Sequence, residues 1–173
     1  MTDQPMLTYS EVWPLAADDA GLWFLDRTGP WPSLYISRDS DPLLMAEIEL
    51  IQHGVDLNHC LLHSTSWRID YSPDTAQNFG VYTFMAAIGV DGLVRDRWPT
   101  ALPITTQLAD LVGRAPRHGP NELPEVRHWD VLMHGLRHLR FLRETDSDIR
   151  AGLDENWCRY LEEFAPAIAR MYL

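Results

Sequence analysis

The stretch from Cys60 to Ile88, CLLHSTSWRIDYSPDTAQNFGVYTFMAAI, constrains this chain more than any other. It reads as two β-strands joined by a polar loop, a long hairpin with a core strand on each side. The first strand mixes His63, Ser64, Thr65, Ser66 and Arg68 with Leu61, Leu62, Trp67 and Ile69. Polar groups inside a core strand cost free energy unless they are hydrogen-bonded. Such a strand is either networked into the fold or placed at a site.

Strict alternation would put His63, Thr65 and Trp67 on one face and Ser64, Ser66 and Arg68 on the other. Two readings follow. In the first, the strand floors a ligand pocket: Arg68 pairs with an anion, Ser64 and Ser66 donate hydrogen bonds, and Trp67 or Tyr82 supplies an apolar wall. In the second, Arg68 pairs with a core carboxylate and the hydroxyls bond across the hairpin. A serine nucleophile is disfavoured, because His63 and Ser64 point to opposite faces and no G-x-S-x-G elbow is present. No catalytic residue is assigned.

Charge narrows the chemistry further. The net charge is −11, which argues against general nucleic-acid binding, since phosphate backbones demand a positive footprint. All 14 basic residues are arginine and none is lysine, in keeping with biased composition. Schiff-base chemistry, a Walker A lysine and a kinase-type strand lysine are therefore excluded. At 173 residues the chain fits a single domain with a sizeable core. No apolar run approaches the roughly 18 residues of a membrane span, so no membrane association is expected. The opening MTDQPMLTYSEVWPL has neither a basic nor a long apolar region, so no signal peptide is expected. Cys60 and Cys158, without CxxC spacing, suit a reducing cytoplasm.

Along the chain, residues 1–20 read as irregular, with Pro5 and Pro14 as breakers. Leu22 to Asp26 is a short strand and Ser33 to Ser37 its partner, across the turn Thr28-Gly29-Pro30-Trp31-Pro32. A helix follows: Asp41 caps it, Pro42 takes its first position and Gly54 ends it. Within it Leu44, Ile48 and Ile51, with Val55 beyond, fall near helical spacing, while Glu47 and Glu49 lie on other faces. After the hairpin come a short strand at Leu93 to Trp98, a short helix at Gln107 to Val112, and a proline-rich loop from Arg114 to Pro124. A long helix spans Glu125 to Arg143. Asp154 caps a last helix carrying Trp157, Tyr160, Leu161, Phe164 and Ile168, which Pro166 kinks or ends. Strands followed by C-terminal helices, residues 125–173, that pack on the sheet predict an α+β domain with a mixed or antiparallel sheet.

Three further clusters stand out. His134-Gly135-Leu136-Arg137-His138 places two imidazoles four residues apart on one helix face, with His128 and His118 as further histidines nearby. Gly135 stands where the general-base glutamate of a zinc protease must be, so that chemistry is lost, and boundary positions on an amphipathic helix explain both imidazoles. Arg114, Arg117 and His118, with Arg127 and His128, form a local basic patch that binds an anion or pairs with the protein's own acids. The acids form short clusters at Asp18-Asp19, Asp39-Asp41 and Asp146-Asp148; the last two precede predicted helices, where capping and the dipole favour acids, and neither continues into a calcium loop. Neither a metal nor another cofactor is assigned.

The order strand, turn, strand, helix ending in Gly54-Val55, then long hairpin resembles the Nudix hydrolase fold over roughly Leu22 to Ile88. The family's signature is G-x5-E-x7-R-E-U-x-E-E-x-G-U, with U aliphatic. Anchoring its last Gly-U on Gly54-Val55 puts the first Gly on Ser33, the first Glu on Asp39 and the Arg on Glu47. The metal-binding glutamates then fall on Ile48, Ile51 and Gln52. The resemblance thus implies a Nudix-like scaffold whose helix lacks the magnesium site. The strings LLHSTSWR and LRHLRFL are also similar to an uncharacterised group of actinobacterial proteins. The function expected is a non-catalytic cytoplasmic binding or interaction module for an anionic small molecule or a protein partner. The alternative is a hydrolase of a nucleotide or other phosphorylated small molecule using an unorthodox metal or histidine site.

Overall fold

The computed structural model describes residues 7–35, 40–72, 77–105 and 128–168. Its centre is β1, Leu7–Asp18, a strand running through the segment expected to be irregular. β1 pairs in parallel with β5 (Gln77–Ile88) from Leu7 opposite Phe79 to Ala16 opposite Ile88. Along its other edge it pairs antiparallel first with β3 (Trp31–Tyr35), up to Val12, and then with β2 (Gly21–Phe24), from Leu15 onward.

Pro14 reads as a breaker in the sequence, and its position explains how a proline sits in a central strand. It falls between the last residue paired to β3 and the first paired to β2. Its carbonyl accepts from the Leu25 N–H at 3.0 Å, so the N–H it lacks would point into that same junction and not towards β5. Proline is tolerated in a sheet where no ladder donor is needed. β3 is consequently a neighbour of β1, not the partner of β2; β2 pairs instead with β6 (Leu102–Ile104), which the sequence reading omitted.

β4 (Cys60–Ser72) and β5 form the expected hairpin, and the sheet runs β4-β5-β1-β2-β6, with β3 beside β2 against β1. It is mixed, and the fold is α+β. Alternation along β1 assigns its two faces. Trp13, Leu15 and Ala17, with Met85 and Ala87, meet the C-terminal helices α3 (His128–Thr145), α4 (Ser147–Gly152) and α5 (Glu155–Leu161). Val12 and Ala16, with Phe84, Ala86 and Ile88, meet α1 (Pro42–Gln52) and the single turn α2 (Val94–Arg97).

Capping follows the sequence. Asp41 accepts from the Leu43 N–H, Pro42 holds the first helical position, and Gly54 takes the left-handed φ of 75° just past the end of α1. Asp146 and Asp154 cap α4 and α5 in the same way. The last helix stops at Leu161 and tightens into bonds from Glu162, Glu163 and Phe164 to the carbonyls three residues before them, and Pro166, which lacks the N–H for Glu162, keeps it from resuming. Phe164 is still buried, whereas Ile168 is half exposed. The segment expected as a strand at Leu93 to Trp98 coils into α2 because Asp18 holds its first amide. One Asp18 oxygen accepts from Ala20 N, Gly21 N and Trp23 Nε1, and the other from Val94 N at 2.7 Å. Burial pushes this carboxyl up, but the bonds from Trp23, Val94, Ala20 and Gly21 outweigh it and hold the carboxyl below its usual range. The expected helix at Gln107 to Val112 and the loop Arg114 to Pro124 lie outside the described residues.

Gly135 has a packing reason. A Cβ there would come within 2.5 Å of the Met85 sulfur and 2.8 Å of its Cγ, so α3 crosses the sheet closely only because this residue has no side chain. Helix propensity alone would make Gly135→Ala stabilising by about 1 kcal/mol. Met85 is fully buried, and overpacking a closed core costs ~1–3 kcal/mol. Gly135→Ala is therefore expected to lower the denaturant midpoint; a rise would mean that Met85 has room to move.

Candidate functional site

Thr65 decides the geometry of the polar strand. Ser64 pairs with Phe84 and Ser66 with Thr83, so Thr65 is an extra residue bulged out of the ladder. The bulge shifts the alternation by one. His63, Ser66, Arg68 and Asp70 share the face covered by α3, while Ser64, Trp67 and Ile69 share the face of α1. The strict alternation expected from sequence, with Thr65 and Trp67 beside His63, is therefore corrected. Thr65 itself is buried, its hydroxyl 3.5 Å from the Thr83 carbonyl.

Arg68 finds its carboxylate inside the fold. Its Nη1 and Nη2 donate to the two oxygens of Glu11, the second at 2.9 Å. Nη1 also donates to the Thr83 hydroxyl at 2.9 Å, and Nε to Asp70 at 3.0 Å. Glu11 in turn accepts from the Thr83 hydroxyl and the Trp13 indole, each at 2.9 Å. Burial pushes the Glu11 carboxyl up, but Arg68, Trp13 and Thr83 outweigh it and hold it below its ordinary value. The guanidinium and the carboxylate thus complete each other across three strands, in the internal network that was one of the two sequence readings.

The other ligand-site residues separate. Ser66 stays on the Arg68 face. Ser64 and Trp67 are exposed on the opposite face, where Trp67 stands directly across from half-buried Tyr82. Arg114 and Arg117 lie outside the described residues. Glu11 was the functional partner that sequence reasoning missed. The available signal was its register with Trp13, Leu15 and Ala17, which marks a charge on an inward face.

Beside this network lies a histidine cluster. His63 of β4 and His138 of α3 have ring centroids 5.7 Å apart, and His134 and His138 lie 6.4 Å apart. His138 Nδ1 is 3.4 Å from the Ala167 carbonyl. Burial pushes all three imidazoles down; a neighbouring His138 adds to this for His63 and His134, Arg137 adds for His134, and Asp146 opposes it for His63. His128 instead packs edge-on against Trp13. Among the described residues no three His, Cys, Asp or Glu side chains are grouped to hold a metal ion.

A cleft of about 760 Å³ opens where β4 begins and β5 ends. Three of its charged groups are engaged in folding: Asp56 accepts from Asn58 N, Asp154 from Trp157 N, and Arg97 donates to the Gly54 carbonyl. The Cys60 thiol at its wall is pushed up to about 12 by burial, which leaves it protonated and a poor nucleophile.

The largest departure from expectation is α1. Ala46 and Leu50 turn inward and are fully buried, while His53, at the end of the same stripe, is exposed and stacks on Trp31 at 3.9 Å. Leu44, Ile48 and Ile51 repeat the same spacing two residues earlier, about 200° around the helix. They point to solvent, 52%, 36% and 57% exposed, with Leu43 at 42% beside them. Two apolar stripes compete for the core in this helix. The one containing the small Ala46 wins, because it lets the backbone approach the sheet and seats the ring of His53 on Trp31.

No protein-family model matches the sequence, and no curated protein does. Among solved structures the chain is similar to one described as the crystal structure of C. elegans Ap4A hydrolase. The identity is 10% and the TM-score 0.42, over 62% of this chain and 85% of that one. Among the described residues no helix is long and apolar enough to cross a membrane.

Two expectations follow from the site. Removing one partner of a buried ion pair costs ~3–5 kcal/mol, so Arg68→Ala and Glu11→Gln should each lower stability on that scale. The pair Glu11→Leu with Arg68→Met should regain part of the loss in chemical denaturation. The histidines supply a pH signature. Their folded values lie below the ordinary 6.5, so the unfolded chain takes up these protons first as the pH falls. Stability should hold above that value, decline as the pH drops from it towards the lower folded values, and level off below them. His63→Phe should flatten the decline in a series of thermal melts.

Proposed function

We propose that this protein is a non-catalytic interaction module on a Nudix-like scaffold, and that it binds a partner protein through the outer face of α1. The carrying observation is the outward stripe of Leu44, Ile48 and Ile51 on a short, well-capped helix. Contiguous apolar side chains on a solvated helix face cost solubility, and they mark contact surfaces. In the Nudix register Ile48, Ile51 and Gln52 occupy the places of metal-binding glutamates. A face that would hold carboxylates in an enzyme of that family offers hydrocarbon here. The anionic-ligand reading has less support, because its anchor, Arg68, is committed to Glu11 and Asp70. We assign the activity to the cytoplasm, in keeping with the unpaired thiols Cys60 and Cys158.

The test pairs a turnover assay with a surface lesion. Nucleotides and other phosphorylated small molecules should release no product with magnesium, manganese or zinc; turnover would favour the hydrolase reading instead. A photo-crosslinker placed at position 48 should give one discrete protein adduct in cells, and one at exposed Asp148 should not. Ile48→Asp should leave stability within ~0.5 kcal/mol, as for other exposed sites, and Leu44→Asp should remove the adduct. An adduct unchanged by Leu44→Asp would sink the proposal.

A further inference from the structure

We infer that the partner presents a basic amphipathic helix to α1, an inference that rests on the interaction reading above and adds the chemistry of its occupant. The spacing of Leu44, Ile48 and Ile51 is that of helix anchors seated at i, i+4 and i+7 against a complementary helix. The charged side chains of the segment that carries the stripe are all acids. Residues 41–56 hold Asp41, Glu47, Glu49 and Asp56 and no arginine or lysine. Glu49 turns inward, while Asp41 and Asp56 are exposed and Glu47 is half buried at the flank of the stripe. The arginine near the helix end, Arg97, is bound to the Gly54 carbonyl and stacked on Trp98. An apolar ridge between acids, on a chain of net charge −11, is complementary to an apolar ridge between bases.

The same rim disfavours the other occupants. A second copy would bring acid against acid around a two-fold axis. It would also bury one short ridge, where a stable interface takes about 800 Å² from each partner. An anionic lipid surface would repel the rim in the same way.

The full chain is titrated with two synthetic helical peptides that share leucines at i, i+3, i+4 and i+7 and differ only in arginine or glutamate at the flanks. Anisotropy gives the affinity and amide shifts give the site. The arginine peptide should bind at least ten times more tightly than the glutamate peptide, its shifts should map to residues 41–56, and added salt should narrow the difference. Ile48→Asp should weaken it tenfold or more. Equal binding of both peptides, preference for the glutamate peptide, no binding of either, or shifts on another face would each overturn the inference. So would a dimer in sedimentation that Ile48→Asp dissolves, or Ile48-dependent binding to phosphatidylserine vesicles. If the crosslink at position 48 persists while the peptides show the wrong charge preference, this inference fails and the interaction reading stands. Loss of both ends both.

Discussion

Glu11 and Arg68 sit 57 residues apart and hold three strands in one register. Glu11 belongs to β1, Arg68 to β4, and Thr83 of β5 bridges them with its single hydroxyl. A buried bidentate pair of this kind adds little net stability over a hydrocarbon replacement, because both ions lose water. Its contribution lies in what it forbids. With Glu11 turned to the α3 face, any slip of β4 by one residue would leave a buried carboxylate without its cation. The parallel β1–β5 pairing has no tight turn to set its alignment, and the anchored carboxylate supplies a fixed point across it. The core on the α3 side, from Trp13 to Trp157, is assembled on that alignment.

Much of this architecture was legible in the sequence wherever a local rule decided it. Asp41, Pro42 and Gly54 mark both ends of α1 through capping and left-handed backbone, which need no tertiary context. The long hairpin was readable for the same reason. What escaped depended on neighbours distant in sequence. Pro14 reads as a breaker until one sees that β1 exchanges one antiparallel partner for another beside it. Val94 reads as strand until Asp18 captures its amide. Periodicity could not choose between the two stripes of α1, since both have the spacing of a buried face. The choice came from Ala46 and from the indole of Trp31. The polar strand illustrates the limit best: its residues were correctly singled out, but their sorting into faces hung on a bulge that no residue type announces.

The two sides of the sheet are finished differently. On one, three helices close over Trp13, Leu15 and Met85, and even the charged groups are absorbed into a network. On the other, α1 covers β1 and β3 with a small inner stripe and turns its larger side chains outward, while Trp67 and Ile69 stand half exposed on edge strand β4. The closed side accounts for stability. Among the described residues the open side concentrates the exposed apolar surface, which is the surface the proposed interaction would use.

The bulge at Thr65 also bears on how this chain tolerates change. Surface loops absorb insertions and deletions with little effect, but a strand with a side-chain period of two cannot. Here one supernumerary residue works as a reading-frame offset in space. Upstream of it the strand is phased with Leu61 and His63 towards the helices; downstream it is rephased so that Arg68 reaches Glu11. Flattening the bulge with every residue retained would keep the composition and the whole hydrophobic pattern. It would nonetheless present Arg68 to water and Trp67 to a buried carboxylate. Related chains should therefore change the number of residues between His63 and Arg68 only together with the bulge, since losing Thr65 and the bulge at once leaves Arg68 facing Glu11.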